Sequence, residues 1–262
     1  MRLIWIAALA VCVSAESWGE IHDVIKNEEI EARLAEKRPL VLQQRSNYTI
    51  SLGVQTGKGS AAKDADADQV LFIRNGSGEV SVGNRRHAVT SGDFVYVPRA
   101  TEHRIDAPAG SLGYVAVRVF PTGKGLPQQT GLLAPRTMPD VLSAHESSET
   151  FARFDANQPI HSGRYFTMNY VIYSGHAGPW EAHRGCVDIY FLRIGTAAAQ
   201  LGGAIQDAIE ESPGEIRGKA VTGARRYSIG PGDIVLIPRD TAHHMEPAGK
   251  KLGYLLLKVW AD

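Results

Sequence analysis

Two blocks of sequence occur twice in this chain, in the same order and with the same spacing. GDFVYVPRATEH at 92–103 aligns without a gap with GDIVLIPRDTAH at 232–243, and LGYVAVRVF at 112–120 aligns with LGYLLLKVW at 252–260. Positions 92 and 232 are 140 residues apart, and so are positions 112 and 252. Similarity within one chain at a fixed offset indicates a duplicated structural unit. The chain is therefore expected to contain two copies of one domain.

A third pair of blocks shows where the copies differ. QVLFIRNG at 69–76 aligns with DIYFLRIG at 188–195, where positions 69 and 188 are 119 residues apart, so the second copy carries 21 extra residues further on. This insertion lies within 200–227 and is rich in glycine and charged residues. It could form a lid or hairpin over the end of the second domain, pack between the domains, or make a contact between two chains.

The remaining sequence predicts mostly strands. Between 39 and 120, short apolar runs are separated by Gly, Pro, Asn and Asp, which is typical of an antiparallel barrel or sandwich. Within 16–38, apolar residues at helical spacing predict one amphipathic helix that packs on this first domain. The segment 121–160 is interpreted as a linker with one helix, and 161–262 as the second domain.

The paired blocks resemble the two motifs of the cupin superfamily. The first motif runs HxH, three or four residues, Glu, and then six residues to Gly. The second runs Gly, five residues, Pro, and then four residues to His, and both 92–103 and 232–243 match it. The resemblance covers both halves of the chain. It implies an all-β fold of two tandem cupin-type barrels, of the double-stranded β-helix or jelly-roll kind, with a few short helices.

In cupins the motif side chains meet inside the barrel on one divalent metal ion. In the second copy the motif positions are held by Glu181, His183, Asp188 and His243, with Glu181 in place of a His and Asp188 in place of a Glu. The resemblance therefore implies a site of two imidazoles and one or two carboxylates, which suits iron, manganese or zinc. Because neighbouring strand residues face opposite sides, His243 rather than His244 is expected to be the ligand.

The first copy has lost most of these side chains. The same positions hold Ala62, Asp64, Gln69 and His103, and only His103 keeps the expected chemistry. One imidazole with one nearby carboxylate is a poor set of metal ligands. The first barrel is expected to bind no metal.

Alternation along the motif strand also selects candidates for the pocket. Asp188 and Tyr190 share one face of a regular strand, while Arg193 lies on the other. If Asp188 faces the barrel interior, Tyr190 does too. Tyr190 and Glu181 are therefore the candidate catalytic residues, and Arg193 is interpreted as a surface or structural arginine.

The resemblance implies a metal-dependent enzyme acting on a small organic substrate. Dioxygenation, decarboxylation, isomerisation and lyase chemistry all occur among cupins, and the residues do not choose between them. The alternative is a non-catalytic protein that binds a sugar or another small ligand. Lys and Arg together number 28, as do Asp and Glu, so no general attraction to nucleic acid or an anionic membrane is expected. A homo-oligomer is left open.

The first residues of the chain predict export. Arg2 precedes an apolar run that ends at Val13, and small residues follow up to Ala15. This pattern is typical of a signal peptide over 1–15, and the run is shorter than the roughly 20 residues that span a membrane. The protein is therefore expected to be secreted or periplasmic, without membrane attachment after cleavage. Cys186 would then be the sole cysteine, so no intrachain disulfide is expected.

Overall fold

The computed structural model describes residues 24–122 and 137–260. These ranges consist mainly of antiparallel strands with two helices, which confirms the predicted all-β class. The signal peptide predicted over 1–15 lies outside the described residues. In the part of the chain that is described, neither helix is long and apolar enough to cross a membrane.

The two copies have the same order of elements, apart from the insertion in the second and the last strand of the first, which corresponds to two strands in the second. The first copy contains β1 (Val24–Ile25), α1 (Asn27–Ala35), β2 (Leu40–Gln44), β3 (Tyr48–Gly57), β4 (Ala62–Lys63), β5 (Asp68–Asn75), β6 (Ser77–Val82), β7 (Arg85–Thr90), β8 (Phe94–Val97) and β9 (Glu102–Val119).

The second copy begins, like the first, with a two-residue strand and a helix, so the repeated unit is longer than the blocks seen in the sequence. It contains β10 (Val141–Leu142), α2 (Ala144–Arg153), β11 (Gln158–Ser162), β12 (Phe166–Tyr173), β13 (Trp180–His183), β14 (Cys186–Ile194), β15 (Ala197–Leu201), β16 (Ala204–Gln206), β17 (Ile209–Ser212), β18 (Glu215–Gly218), β19 (Ala220–Thr222), β20 (Arg225–Ile229), β21 (Ile234–Ile237), β22 (His243–Pro247) and β23 (Leu252–Trp260).

The first strand of each copy belongs to the sheet of the other copy. β1 pairs antiparallel with β21 of the second barrel, where Val24 lies opposite Val235. β10 pairs antiparallel with β8 of the first barrel, where Val141 lies opposite Val95. Each barrel therefore contains a strand from the other copy, an exchange that the sequence analysis did not predict.

The helix that follows each exchanged strand begins at an aspartate of the other barrel. The backbone N–H of Asn27 donates to Asp233 Oδ1 at 2.8 Å, and that of Ala144 donates to Asp93 Oδ1 at 2.7 Å. A carboxylate is favourable there because the first N–H groups of a helix have no partner within the helix. The helix predicted within 16–38 is thus present as α1, anchored to the second barrel.

Two sheets pack against each other between the barrels. Their strand orders are β10-β8-β5-β9-β3-β2 in the first copy and β1-β21-β14-β23-β12-β11 in the second. Phe72 and Phe94 stack with 4.5 Å between ring centroids, and Phe191 of the other sheet meets both edge-on at 5.6 and 5.3 Å. These rings belong to a cluster of buried side chains that draws on both copies. The two barrels therefore share this cluster, and each also has a buried cluster of its own.

Arg193, interpreted from the sequence as a surface or structural arginine, lies at this shared cluster. Its guanidinium lies 5.2 Å from the ring centroid of Phe72 and 5.9 Å from that of Phe94. Arg74 has the equivalent position in the first copy, where it lies over Phe72 and donates to the backbone carbonyl of Gly232 at 2.7 Å. The two arginines thus face the interface between the copies.

His161 provides a pH-dependent contribution to this interface. Its side chain is buried and stacks on Phe166 with 4.2 Å between ring centroids, and burial lowers the pKa of its imidazole. The unfolded chain, in which the histidine pKa is about 6.5, therefore binds this proton more readily than the folded protein. The stabilising effect is fully present above about pH 6.5 and is lost as the pH falls below it.

We expect chemical denaturation of a variant without this histidine to reveal the effect by comparison with the wild type. The His161→Gln variant should lose less stability than the wild type between about pH 7 and pH 5, because it has no proton to gain on unfolding. An unchanged pH dependence would show that His161 titrates alike in both states.

Candidate metal centre

Three of the predicted ligands converge in the second barrel. Glu181 and His183 lie on β13, and their side chains share one face because they are two residues apart. His243 of the neighbouring strand β22 lies directly opposite Glu181. One ligand atom from each of the three residues lies within 4.8 Å of the others. Two imidazoles and one carboxylate form a set that binds non-haem iron and other divalent ions.

His243 presents an unpaired nitrogen to this cluster. Its side chain is 1% exposed, and burial lowers its pKa to about 4, so the ring is neutral near pH 7. Nδ1 lies 3.1 Å from the carbonyl oxygen of Thr241 and must carry the proton, which leaves a lone pair on Nε2. Among the residues that the structure describes, this buried Nε2 has no hydrogen-bond partner, and Glu181 Oε1 lies 3.2 Å away. Two acceptors that face each other fit a cation between them.

His183 is held by a carboxylate on one side and by an ammonium on the other. Its Nδ1 lies 2.8 Å from Glu215 Oε2, although the two groups are not aligned as a hydrogen bond. Its Nε2 lies 3.1 Å from Lys258 Nζ. Histidine ligands of metals commonly have a carboxylate at the second ring nitrogen, which fixes the ring orientation.

Asp188, the fourth predicted ligand, lies outside this cluster of three. It is buried, and its Oδ2 lies 3.5 Å from His183 Nε2. Its Oδ1 lies 3.9 Å from Lys258 Nζ. Burial would lower the pKa of Lys258, but Asp188 and other nearby acidic groups raise it above its usual value, so the ammonium stays charged. Asp188 therefore neutralises a buried cation beside the candidate centre.

Tyr190 faces the barrel interior on the same side as Asp188. Its ring is buried and stacks on Tyr254 with 4.3 Å between centroids. Burial raises the pKa of its phenol well above the usual value, so the hydroxyl keeps its proton. That hydroxyl donates to Asp188 Oδ2 at 3.4 Å. Its hydrogen bond to Asp188 thus links Tyr190 to the polar residues around the cluster.

The insertion in the second copy forms part of this site. Its strand β18 pairs with β13, so that Arg217 lies opposite Glu181 and Glu215 lies opposite His183. Of the three placements considered for the insertion, the hairpin on the second barrel agrees with this pairing. Sequence reasoning missed both side chains because the first copy has no counterpart to them.

Sequence reasoning also missed Lys258, although a signal was present. On β23, Tyr254 and Leu256 face the interior of the second barrel, and alternation puts Lys258 on the same side. A lysine at an interior position of an apolar strand needs an acidic partner. Arg118 occupies the equivalent position of the first copy, so both copies place a cation there.

His244 lies apart from the cluster. Its ring stacks on Trp180 with 4.5 Å between centroids, and its Nδ1 lies 3.3 Å from the carbonyl oxygen of Pro179. Adjacent residues on a strand point to opposite sides, and the structure places only His243 of the pair with the other candidate ligands.

In the first barrel an ion pair occupies the corresponding position. Arg118 donates through Nε to Asp64 Oδ2 at 2.6 Å, and Gln69 Nε2 lies 3.5 Å from the same oxygen. Nδ1 of His103 is buried and has no aligned hydrogen-bond partner among the described residues, and Ala62 offers no ligand atom. Across residues 24–122, no three His, Cys, Asp or Glu side chains converge as they do in the second barrel.

Comparison with known proteins agrees with this architecture. Residues 50–112 match the sequence model of the family described as "Cupin domain". No curated protein matches the sequence. The fold is similar to that of the Cupin 2 conserved barrel domain protein from Leptotrichia buccalis, with a TM-score of 0.59, 15% identity, and coverage of 92% of this chain and 97% of that chain.

Two solved enzymes also have similar folds. Salicylate 1,2-dioxygenase from Pseudaminobacter salicylatoxidans has a TM-score of 0.63 and 10% identity, over 90% of this chain and 83% of that chain. Oxalate decarboxylase from Lactobacillus farciminis has a TM-score of 0.51 and 12% identity, over 90% of this chain and 80% of that chain. The chain therefore contains one match to the cupin domain family, in its first copy, and shares the fold of two tandem cupin-type barrels with these proteins.

Proposed function

We propose that the protein is a metal-dependent enzyme that acts on a small organic acid. The observation that carries the proposal is the convergence of Glu181, His183 and His243, with the unpaired Nε2 of His243 aimed at a carboxylate. These three residues would hold the ion. The set of two histidines and one carboxylate favours iron, with manganese and zinc as further candidates.

Charges around the cluster support an acidic substrate. Lys258 and Arg217 both lie beside the candidate ligands, and their side chains are 16% and 29% exposed. A substrate carboxylate would find cations here in a largely buried setting, where charge pairing is stronger than in water. Salicylate and oxalate, named for two proteins of similar fold, are both small carboxylates.

The chain's own residues can bind and orient such a substrate. A bound divalent ion would act as a Lewis acid that polarises a substrate oxygen. Lys258 would pair with a carboxylate of the substrate, and Glu181 would serve as a ligand of the ion. Tyr190, which donates to Asp188 and lies edge-on to the ring of His243 with 6.4 Å between centroids, would act as a positioning residue that keeps Asp188 directed at Lys258.

Metal loading followed by turnover assays tests this proposal. The purified protein would be incubated separately with iron, manganese, nickel, copper and zinc, and bound metal measured by mass spectrometry. Oxygen uptake and carbon dioxide release would then be followed with small aromatic and aliphatic acids and with their neutral amides. We expect consumption of an acid but not of its amide, and only by the loaded protein.

Two outcomes would contradict the enzyme proposal. Absence of bound metal after every incubation would remove its basis. Metal-independent binding of a sugar or another neutral ligand, without turnover, would instead support a non-catalytic binding protein.

A further inference from the structure

The insertion brings two opposite charges to the candidate metal ligands. Glu215 and Arg217 are two residues apart on β18, so their side chains share one face of the strand. Cross-strand pairing sets Glu215 against His183 and Arg217 against Glu181. The first copy lacks this insertion, so the arrangement is particular to the barrel that has the convergent ligands.

Arg217 holds the one carboxylate in the cluster. Its Nη1 contacts Glu181 Oε2, while Glu181 Oε1 faces His243. Glu181 is only 15% exposed, so water screens this ion pair weakly. A carboxylate already paired with a guanidinium has less charge to offer a metal ion, and the guanidinium itself repels a dication.

A second acidic partner for Arg217 lies on the same hairpin. Nε of Arg217 is 3.5 Å from Glu211 Oε2 on β17, whose side chain is 62% exposed. The guanidinium therefore lies between a largely buried acid and an exposed one. Glu211 thus offers the guanidinium a second partner beside Glu181.

Glu215 has the opposite relation to the cluster. Its Oε2 lies 2.8 Å from His183 Nδ1, and a carboxylate at this nitrogen orients the imidazole and increases its basicity as a ligand.

We propose that the insertion sets the metal affinity of the second barrel through these two side chains. Arg217 weakens metal binding by competing for Glu181, and Glu215 strengthens it by orienting His183. This inference rests on the metal site of the proposed function. It assigns a regulatory role to the 21 residues that distinguish the second copy.

Metal titration of variants separates the two effects. The full-length protein and the variants Arg217→Gln and Glu215→Gln would be titrated with iron(II), manganese and zinc against a competing chelator. We expect Arg217→Gln to bind about tenfold more tightly than the wild type. Glu215→Gln should bind about 10- to 100-fold more weakly, the range typical of partners that orient a ligand.

Two further variants sharpen the test. Glu211→Gln removes the alternative partner of Arg217 and should weaken metal binding, because Arg217 then remains on Glu181. Arg226→Gln is the matched control, since Arg226 pairs with Glu246 at 2.5 Å in the same barrel, away from the cluster. It should leave the affinity unchanged.

The outcomes distinguish this inference from the proposed function. Unchanged or weaker binding by Arg217→Gln, in a protein that binds metal, would overturn the inference alone. Metal binding by Arg217→Gln but not by the wild type would support it strongly. If neither protein bound metal, both the inference and the proposed function would fail. If the affinities shifted as expected without turnover of any acid, only the enzyme proposal would be in doubt.

Discussion

The His243→Ala variant is expected to lose metal binding altogether, whereas the loaded wild type should hold about one ion per chain. His243 supplies a neutral imidazole whose Nε2 has no other partner, and its removal leaves one imidazole and one carboxylate. Two ligands do not hold a divalent ion firmly in water, because structural and catalytic sites use three or four protein ligands. Mass spectrometry of the loaded and desalted protein measures the result.

His103→Ala is the matched control for this experiment. His103 has the same motif position in the first barrel, where Arg118 and Asp64 form an ion pair in place of a convergent ligand set. Its loss should leave the metal content unchanged. Retained metal in His243→Ala combined with lost metal in His103→Ala would place the ion in the first barrel.

The Phe191→Ala variant is expected to lower the free energy of unfolding by about 3–5 kcal/mol. Phe191 is 1% exposed and contacts Phe72 and Phe94 across the interface between the copies. Alanine would remove these edge-on ring contacts, each worth about 0.5–1.5 kcal/mol beyond area burial, and would leave a cavity. Urea denaturation followed by tryptophan fluorescence and circular dichroism measures the change.

Phe154→Ala is a suitable comparison because Phe154 is only partly buried at the edge of the same cluster. Its cost should be well below that of Phe191→Ala. We also expect one transition for both barrels in each variant, because the copies share a buried cluster and exchange strands. Two separate transitions, with only the second affected by Phe191→Ala, would show that the barrels unfold independently.

Much of the fold follows from local features of the sequence. The aligned blocks and the alternation of apolar residues predict two all-β domains. Strand exchange is different, because β1 and β10 are two residues long and pair with strands far away in the chain. Nothing in Val24–Ile25 or Val141–Leu142 distinguishes a partner in its own copy from one in the other. Packing of the whole protein decides that choice.

The residues of the candidate site could be predicted from the sequence where the spacing of a motif identified them. The resemblance to the cupin motifs identifies Glu181, His183 and His243, which the structure brings together. It also identifies Asp188, but the structure places this carboxylate beside Lys258. Whether a bound ion recruits Asp188 stays a prediction.

The charged neighbours of the ligands could not be predicted in the same way. Glu215 and Arg217 reach the site only through the pairing of β18 with β13, and no motif records this pairing. Lys258 could have been predicted from the alternation of side chains along β23 alone, since a charged side chain that faces a barrel interior needs a partner of opposite charge.

The exchange of β1 and β10 bears on the history of the duplicated gene. Deleting the first copy would uncover the edge of β21 and leave Asp233 without the helix that it anchors. The unpaired backbone N–H and C=O groups of an uncovered strand edge can pair with strands of other chains. Selection can therefore retain the first barrel for the structural support that it gives the second, even though its own motif positions hold Ala62, Asp64 and Gln69.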